Sequence, residues 1–189
     1  WYAEKNNWSS YGTIGSNEAL FAQQLYLVAD TQEPGQPGQP EDPSAPLKNG
    51  DQVVIYNPAN LKALSSEYSG FYNKGTDVTL TGSKLAGFTE ADIWTVGVND
   101  DGSYTFSTAD GKKLSMDEKY SSTPLDKTHT GWSILPAATE NCVYIQNVGR
   151  SSYLEWYAEK NNWSAFGTIG SNEALFAQQL YLVGDEMDQ

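Results

Sequence analysis

The chain has 189 residues, with 24 acidic and 11 basic side chains and a formal net charge of −13 at neutral pH. This excess of negative charge excludes nucleic acid as a direct partner and disfavours anionic membrane surfaces, because both require clustered lysine and arginine. No apolar run approaches the length of a membrane-spanning helix. The single cysteine cannot form an internal disulfide, and its apolar neighbours predict a buried, inert thiol.

The first 30 residues return almost unchanged near the end of the chain. Residues 1–30 and 156–185 differ at only three pairs of positions: Ser10/Ala165, Tyr11/Phe166 and Ala29/Gly184. Identity this close between two segments of one chain indicates recent duplication. We therefore expect residues 1–30 to be the C-terminal third of a preceding, near-identical module in a tandem-repeat protein.

A spacer separates the first copy from the rest of the chain. Residues 31–46 read TQEPGQPGQPEDPSAP and present no hydrophobic face at any period. Such a segment cannot offset its ordering entropy by burial, so it predicts an extended, Pro/Gly-rich linker. Residues 47–185 are then expected to form one complete module with its own core, followed by a short tail at 186–189.

The complete module repeats a fainter pattern three times. Each unit opens with a β-type run, passes through a turn to a second strand around a leucine, and closes on an apolar strand. The opening runs lie at 53–56, 104–107 and 143–146, and the closing strands at 93–96, 132–135 and 180–183. The central leucines are Leu64, Leu114 and Leu154. Before the last strand, residues 172–179 predict a single helical turn and no long helix.

Three such units resemble the β-trefoil of the ricin B-chain type. Ricin-type units carry Gln-x-Trp in their last strand, and the corresponding triplets here are Asp92-Ile93-Trp94, Thr130-Gly131-Trp132 and Gln178-Gln179-Leu180. Two tryptophans and one glutamine are present, never together in one triplet. The expected fold is all-β, a β-trefoil of three pseudo-repeats. A β-sandwich is the alternative, because many short strands with frequent turns fit both architectures.

The resemblance implies sugar pockets that this sequence does not reproduce. Ricin-type pockets use an aspartate just after the first strand and an aromatic residue further on. The matching turns here contain Asn57, Asp110 and Asn147, so only the second unit offers the acid. That unit lacks the aromatic residues of the other two, and any glycan site is therefore expected to be divergent.

The segments between the central leucine and the closing strand are long and aromatic in units one and three. Aromatic rings pack against the apolar face of a pyranose, and amides and carboxylates bind its hydroxyl groups. The alternative interpretation is that these rings cover the barrel and are structural. The predicted ligand-binding residues are Tyr68, Tyr72, Asn73, Tyr157, Asn161, Asn162 and Trp163.

The remaining chemistry argues against catalysis. The only histidine, His129, rules out a two-histidine metal site and a histidine-based triad, so we expect no enzyme activity, metal or cofactor. We expect a carbohydrate-binding, lectin-like module of a secreted or cell-surface bacterial protein with several domains, whose tandem copies add avidity for glycan. The other candidate is a structural or adhesive repeat that spaces, polymerises or binds protein.

The repeated segment also predicts self-association. One third of a module cannot bury its own apolar side chains or pair its own strand edges. Residues 1–30 or 156–185 are therefore expected to exchange within the chain or between chains.

Overall fold

The structure is a computed structural model that describes residues 46–184. These residues form twelve β-strands and three single-turn 3-10 helices, and no helix among them could cross a membrane. The strands are β1 (Gln52–Asn57), β2 (Lys62–Ser69), β3 (Tyr72–Asp77), β4 (Thr79–Thr81), β5 (Lys84–Ala86), β6 (Ile93–Val98), β7 (Tyr104–Ser107), β8 (Trp132–Pro136), β9 (Val143–Asn147), β10 (Ser152–Tyr157), β11 (Asn162–Phe166) and β12 (Gln179–Leu182). The 3-10 helices are Glu90–Asp92, Ala158–Lys160 and Glu173–Leu175, and the last of these confirms the predicted helical turn. The first copy of the repeat, the linker up to residue 45 and the tail at 185–189 lie outside the described residues.

Six strands close into an antiparallel barrel. The strand β1 pairs with β6 on one side and β12 on the other, and β6, β7, β8 and β9 follow in order. A bridge between Val143 and Gln178 joins β9 to the start of β12, with backbone hydrogen bonds of 2.8 and 2.9 Å. Closure leaves no free edge in this ring of strands, which is how a barrel avoids the unpaired backbone groups of an open sheet.

Three hairpins, one from each unit, pack on this barrel. They are β2–β3, β10–β11 and a bridged segment of the second unit that pairs Leu114 with Leu125 and Met116 with His129. Their buried residues share one hydrophobic core with the barrel strands. The predicted β-trefoil of three units is confirmed, and the β-sandwich alternative is wrong because the strands form a single closed barrel.

In the first two units, a tryptophan of the closing strand makes the same hydrogen bond to the hairpin. The indoles of Trp94 and Trp132 are fully buried, and their Nε1 atoms donate to the carbonyls of Leu64 and Leu114 at 3.0 Å. In the third unit the side-chain amide of Gln178 donates to the carbonyl of Leu154 at 3.3 Å. The third unit therefore uses a glutamine amide as the donor to this carbonyl, whereas the other two units use an indole N–H.

An insertion distinguishes the first unit. The β4–β5 hairpin and its flanks carry Val78 and Leu85, which pack with Val54, Tyr56 and Ala63 in a second, smaller hydrophobic cluster. Because side chains alternate along a strand, Val54 and Tyr56 point away from Val53 and Ile55, which belong to the barrel core. The insertion therefore covers the outer side of β1.

The two ends of the module lie side by side. The strand β12 pairs with β1 from Val53 opposite Leu182 to Tyr56 opposite Gln179. Beyond the last pair, the backbone N–H of Val183 donates to the carbonyl of Gln52 at 2.8 Å. The chain therefore enters and leaves the barrel at neighbouring points.

Candidate functional site

Strands of units one and three lie side by side in the order β2–β3–β11–β10 within the ten-stranded sheet of the module. Ser69 pairs with Tyr72 on β2 and β3, and Asn73 pairs with Trp163 across the unit boundary between β3 and β11. Directly opposite residues share a face and neighbours along a strand alternate, so Tyr72 and Ser164 lie on the face away from Asn73 and Trp163.

This register assigns two faces to the sheet. The inner face holds Tyr68, Asn73, Gly75, Trp156 and Trp163. We call the opposite face the outer face. It holds Tyr72, Tyr153, Glu155, Tyr157, Asn162, Ser164 and Phe166.

The inner face is part of the core. The rings of Trp156 and Trp163 pack edge to face, with their centroids 5.7 Å apart. Trp163 Nε1 donates a hydrogen bond of 3.0 Å to the Ala63 carbonyl. A side chain at Gly75 would not fit, since a Cβ there would lie 2.4 Å from a ring atom of Trp156. Trp163 is fully buried, so its predicted role as a ligand contact is corrected to a core role.

Asn73 on the same face is also structural. It is fully buried, its Nδ2 donates to the Ser65 carbonyl at 2.9 Å, and its Oδ1 accepts from Thr123 Oγ1 at 2.6 Å. Both ends of the amide are thus used to join the first hairpin to the second unit, and its predicted ligand contact is corrected as well. Tyr68 lies opposite Asn73 and is half-buried, and burial raises the pKa of its hydroxyl.

A buried carboxyl lies at the centre of the outer face. Glu155 is 6% exposed, and its Oε1 accepts a hydrogen bond of 2.8 Å from Ser164 Oγ on the paired strand. Along β10 it lies between Tyr153 and Tyr157, two residues away on either side. Burial raises the pKa of the Glu155 carboxyl, and the hydrogen bond from Ser164 partly opposes that rise.

Aromatic residues occupy neighbouring positions on the same face. Phe166 is 56% exposed, and Tyr72, Tyr153 and Tyr157 are half-buried. Two of these tyrosine hydroxyls make long contacts of 3.4 Å, Tyr72 with Ser121 Oγ and Tyr157 with a Glu159 carboxyl oxygen. The ring of Tyr153 packs edge-on against that of Tyr144, with the ring centroids 6.0 Å apart. The rings are therefore positioned by neighbours while part of each side chain remains accessible.

One polar atom of the outer face has no donor. The Oδ1 of Asn162 is buried and accepts no hydrogen bond among the described residues. A buried acceptor without a donor is costly. Together with Glu155, it gives the outer face two polar oxygens among aromatic rings. No group of three or more His, Cys, Asp or Glu in residues 46–184 could hold a metal ion.

The predicted residues are therefore divided between the two faces. Tyr72, Tyr157 and Asn162 lie on the outer face, and Asn161 is exposed at the tip of the β10–β11 hairpin in the left-handed conformation (φ 52°, ψ 44°). Sequence reasoning did not place Tyr153, Glu155, Ser164 and Phe166 in the site. The alternation Tyr153-Leu154-Glu155-Trp156-Tyr157 was the signal for them, because it puts both tyrosines and the acid on one face.

Two of the three positions that match the ricin-type pockets are occupied by structural asparagines. Asn57 is fully buried, donates to the Ala174 carbonyl at 2.8 Å and accepts from the Asn60 backbone N–H at 3.0 Å. Asn147 is also fully buried and makes the same kind of contacts with His129 and Arg150. The side chains at these two turns are therefore used within the fold.

Replacing Glu155 with glutamine is expected to raise the free energy of unfolding at pH 7 and to lose that advantage near pH 4. Burial raises the pKa of Glu155 in the folded state. The carboxyl's contribution to the free energy of unfolding is therefore fully present below its unfolded pKa, where it is protonated in both states. This contribution is lost as pH rises through the folded-state pKa and the buried carboxyl becomes charged. Denaturant midpoints of both proteins at the two pH values measure the effect. Glu140→Gln, at an exposed position, is the control and should show the same difference at both pH values. A Glu155→Gln difference that does not change with pH would contradict the burial of this carboxyl.

Comparison with known proteins identifies the fold. No protein-family model matches the sequence, and a search of curated proteins found no match. Among solved structures, the chain is similar to the BEL β-trefoil, with a TM-score of 0.60, 8% identity, and coverage of 75% of this chain and 99% of the other. A ricin B-like lectin from Macrolepiota procera, solved in complex with lactose, aligns with a TM-score of 0.54, 14% identity and coverage of 71% and 96%.

A third similar structure is a larger enzyme. It is a GlcNAcα1-4Gal-releasing endo-β-galactosidase from Clostridium perfringens, with a TM-score of 0.56 and 15% identity. The match covers 71% of this chain but only 33% of the enzyme's chain. At these identities the likeness shows the fold alone, which is the β-trefoil.

Proposed function

We propose that this module is a non-catalytic carbohydrate-binding module and that the outer face is its binding site. The observation that carries the proposal is the Glu155 carboxyl, which is 6% exposed and has aromatic residues at the neighbouring positions of the same face. A purely structural surface gains nothing from placing a poorly solvated acid among partly exposed rings, since burying a charge costs free energy. A sugar uses both features, because its C–H faces pack on rings and its hydroxyl groups bind the acid.

The individual contacts fit a pyranose. Phe166 and Tyr72 are neighbours of the Ser164–Glu155 pair on the outer face and offer partly exposed ring surface. A protonated Glu155 donates to a hydroxyl oxygen and an ionised one accepts from a hydroxyl group. The similar lectin is described with lactose, which supports a saccharide as the class of ligand without naming the sugar.

Tandem copies would increase the affinity of such a site. Four positions of the outer face recur in the first copy of the repeat, where the sequence has Tyr2, Asn7, Ser9 and Tyr11. Two linked modules with weak sites bind a repetitive glycan more tightly than one, because the second contact is made at high effective concentration. We therefore place the module in a secreted or cell-surface bacterial protein with several domains, where it holds the protein near glycan.

A second candidate, an adhesive repeat that binds protein, is favoured by one observation. Phe71 is 85% exposed at the tip of the β2–β3 hairpin, in a turn where Gly70 supplies a positive φ of 65°. An exposed large ring at a hairpin tip is a feature of protein contacts. Substituting Phe71 therefore separates the two candidates.

The test is a glycan-array screen of the full chain, followed by calorimetry with any bound glycan. Tyr72→Ala is expected to weaken binding by about tenfold or more, since a stacked ring contributes roughly 1–2 kcal/mol. Tyr72→Phe should bind within about threefold of the unmodified chain, because the ring is kept. Both variants change a residue that is absent from the first copy of the repeat, so no second site masks the effect.

Phe71→Ala is the matched control and should leave glycan binding unchanged. Circular dichroism confirms that each variant is folded. A folded chain that binds no glycan, or Tyr72→Ala binding as tightly as the unmodified chain, would contradict the proposed site. A protein partner whose binding is lost in Phe71→Ala would favour the adhesive repeat instead.

A further inference from the structure

The last part of the module fills a well-defined slot. Residues 156–184 supply the end of β10 and all of β11 and β12. The strand β12 pairs with β1, β11 pairs with β3, and the Ala165 N–H donates to the Ser121 carbonyl at 2.8 Å. The buried side chains that this segment contributes are Trp156, Trp163, Ser164, Ala165, Phe176, Ala177 and Gln178.

The first 30 residues carry the same buried side chains at the corresponding positions, with one exception. The sequence has Trp1, Trp8, Ser9, Phe21, Ala22 and Gln23, and it differs only in having Ser10 where the slot holds Ala165. The slot is built by residues 47–155, which occur once in this chain. Two segments with nearly the same side chains are thus available for one slot.

The three differences between the segments are compatible with exchange. A Cβ on Gly184 would meet no atom within 4 Å, so the methyl group of Ala29 fits there. Phe166 is more than half exposed, so the extra hydroxyl of Tyr11 reaches solvent. Only Ser10 is unfavourable, because it places a hydroxyl at the buried Ala165 position, although the backbone bond to Ser121 is unaffected.

The linker is long enough for the exchange to occur within one chain. Val183 lies beside Gln52, so a segment ending at residue 30 in this slot would finish next to the start of the module. The sixteen residues 31–46 reach about 50 Å when extended, far more than this gap requires. A tethered segment also competes at a high effective concentration.

We propose that Trp1–Asp30 is a second occupant of this slot and can replace residues 156–185 of its own chain in completing the β-trefoil. The displaced segment then carries the same side chains in free form and can complete the module of a second copy. This inference does not depend on the proposed glycan site, because it concerns how the fold is completed.

Matched substitutions at one position of each segment test the exchange. Trp163→Ala damages the resident segment, Trp8→Ala damages its counterpart, and the double variant damages both. In the full chain, Trp163→Ala is expected to lower the melting temperature by less than about 5 °C, because the intact first segment takes the slot. The double variant should lose more than about 10 °C, as loss of a core tryptophan does, and Trp8→Ala alone should have no effect.

Two outcomes would overturn the proposal. If Trp163→Ala is as unstable as the double variant, the first segment does not enter the slot. If the rescue of Trp163→Ala disappears on dilution, the occupant comes from another molecule and not from the same chain. Melting measured over a hundredfold range of concentration, with size-exclusion chromatography, distinguishes these cases.

Discussion

Replacing Trp94 or Trp132 with alanine is expected to lower the free energy of unfolding by about 3–5 kcal/mol. Each indole is fully buried where a barrel strand meets a hairpin, so truncation removes packing from both elements. It also leaves the carbonyl of Leu64 or Leu114 without its donor. Because domains of this size are stable by about 5–15 kcal/mol, either variant would lose much of its margin.

Phenylalanine at the same positions separates packing from hydrogen bonding. Trp94→Phe and Trp132→Phe keep a ring in the core but remove the N–H, and we expect a cost of about 1–3 kcal/mol. Guanidinium denaturation gives these values from the shift in midpoint at constant slope. Phe71→Ala is the control, with an expected change within about 0.5 kcal/mol because the side chain is exposed. An alanine variant within 1 kcal/mol of the unmodified chain would show that the two indoles do not support the core.

Asn57→Asp is expected to destabilise the module by about 3–5 kcal/mol at pH 7, more than Asn57→Ala does. The amide Nδ2 of Asn57 faces a set of oxygen acceptors: the carbonyls of Ala174, Leu175 and Ala177 and the Oε1 of Gln178, at 2.8, 3.4, 3.3 and 3.2 Å. A carboxylate there would place a buried negative charge against oxygens that cannot donate. Alanine removes this donor and also the acceptor for Asn60, but it introduces no buried charge.

The pH dependence distinguishes the charge from the change of shape. Burial near acceptors disfavours the ionised aspartate, so its pKa in the folded state lies above its ordinary value near 3.9. The extra destabilisation of Asn57→Asp over Asn57→Ala should therefore be small below about pH 4 and should grow as pH rises. Unfolding curves of both variants between pH 3.5 and 7 provide the comparison. A constant difference across this range would mean that position 57 is open to water.

The contacts of Asn57 explain why this chain differs from the ricin-type pattern at the first turn. Ricin-type units carry a pocket acid at these first turns, and the chain has asparagine in two of the three. An amide can donate and accept at once, which lets Asn57 hold its own turn through Asn60 and the third unit through Ala174. A carboxylate can only accept, so the change from acid to amide converts a ligand position into a structural one.

The architecture was predictable because it depends on patterns within single strands. The central leucines, the closing tryptophans and the intervening turns each report local burial, and all of them appear in the structure at the expected places. The third unit was less predictable. There Gln178 serves the Leu154 carbonyl, and only the position of that carbonyl in space shows that an amide can replace an indole.

The site was predictable only in part because it crosses a unit boundary. Tyr72 and Asn73 are neighbours in sequence, and which of them faces outward depends on the pairing of Asn73 with Trp163. That pairing joins residues 90 positions apart, and a slip of one residue would have exchanged the two faces. Within β10, by contrast, alternation alone was sufficient to place Glu155 between two tyrosines.

The neighbouring ends of the module determine how it would respond to mechanical load. Because β1 and β12 run antiparallel, a force that pulls Gln52 and Val183 apart acts first on the hydrogen bond between them and then on the nearest pair, Val53 and Leu182. Each hydrogen-bonded pair is then loaded in turn, so the strands unzip and do not slide past each other. Under tension the barrel is therefore expected to open at β12, at low force and before its other strands separate.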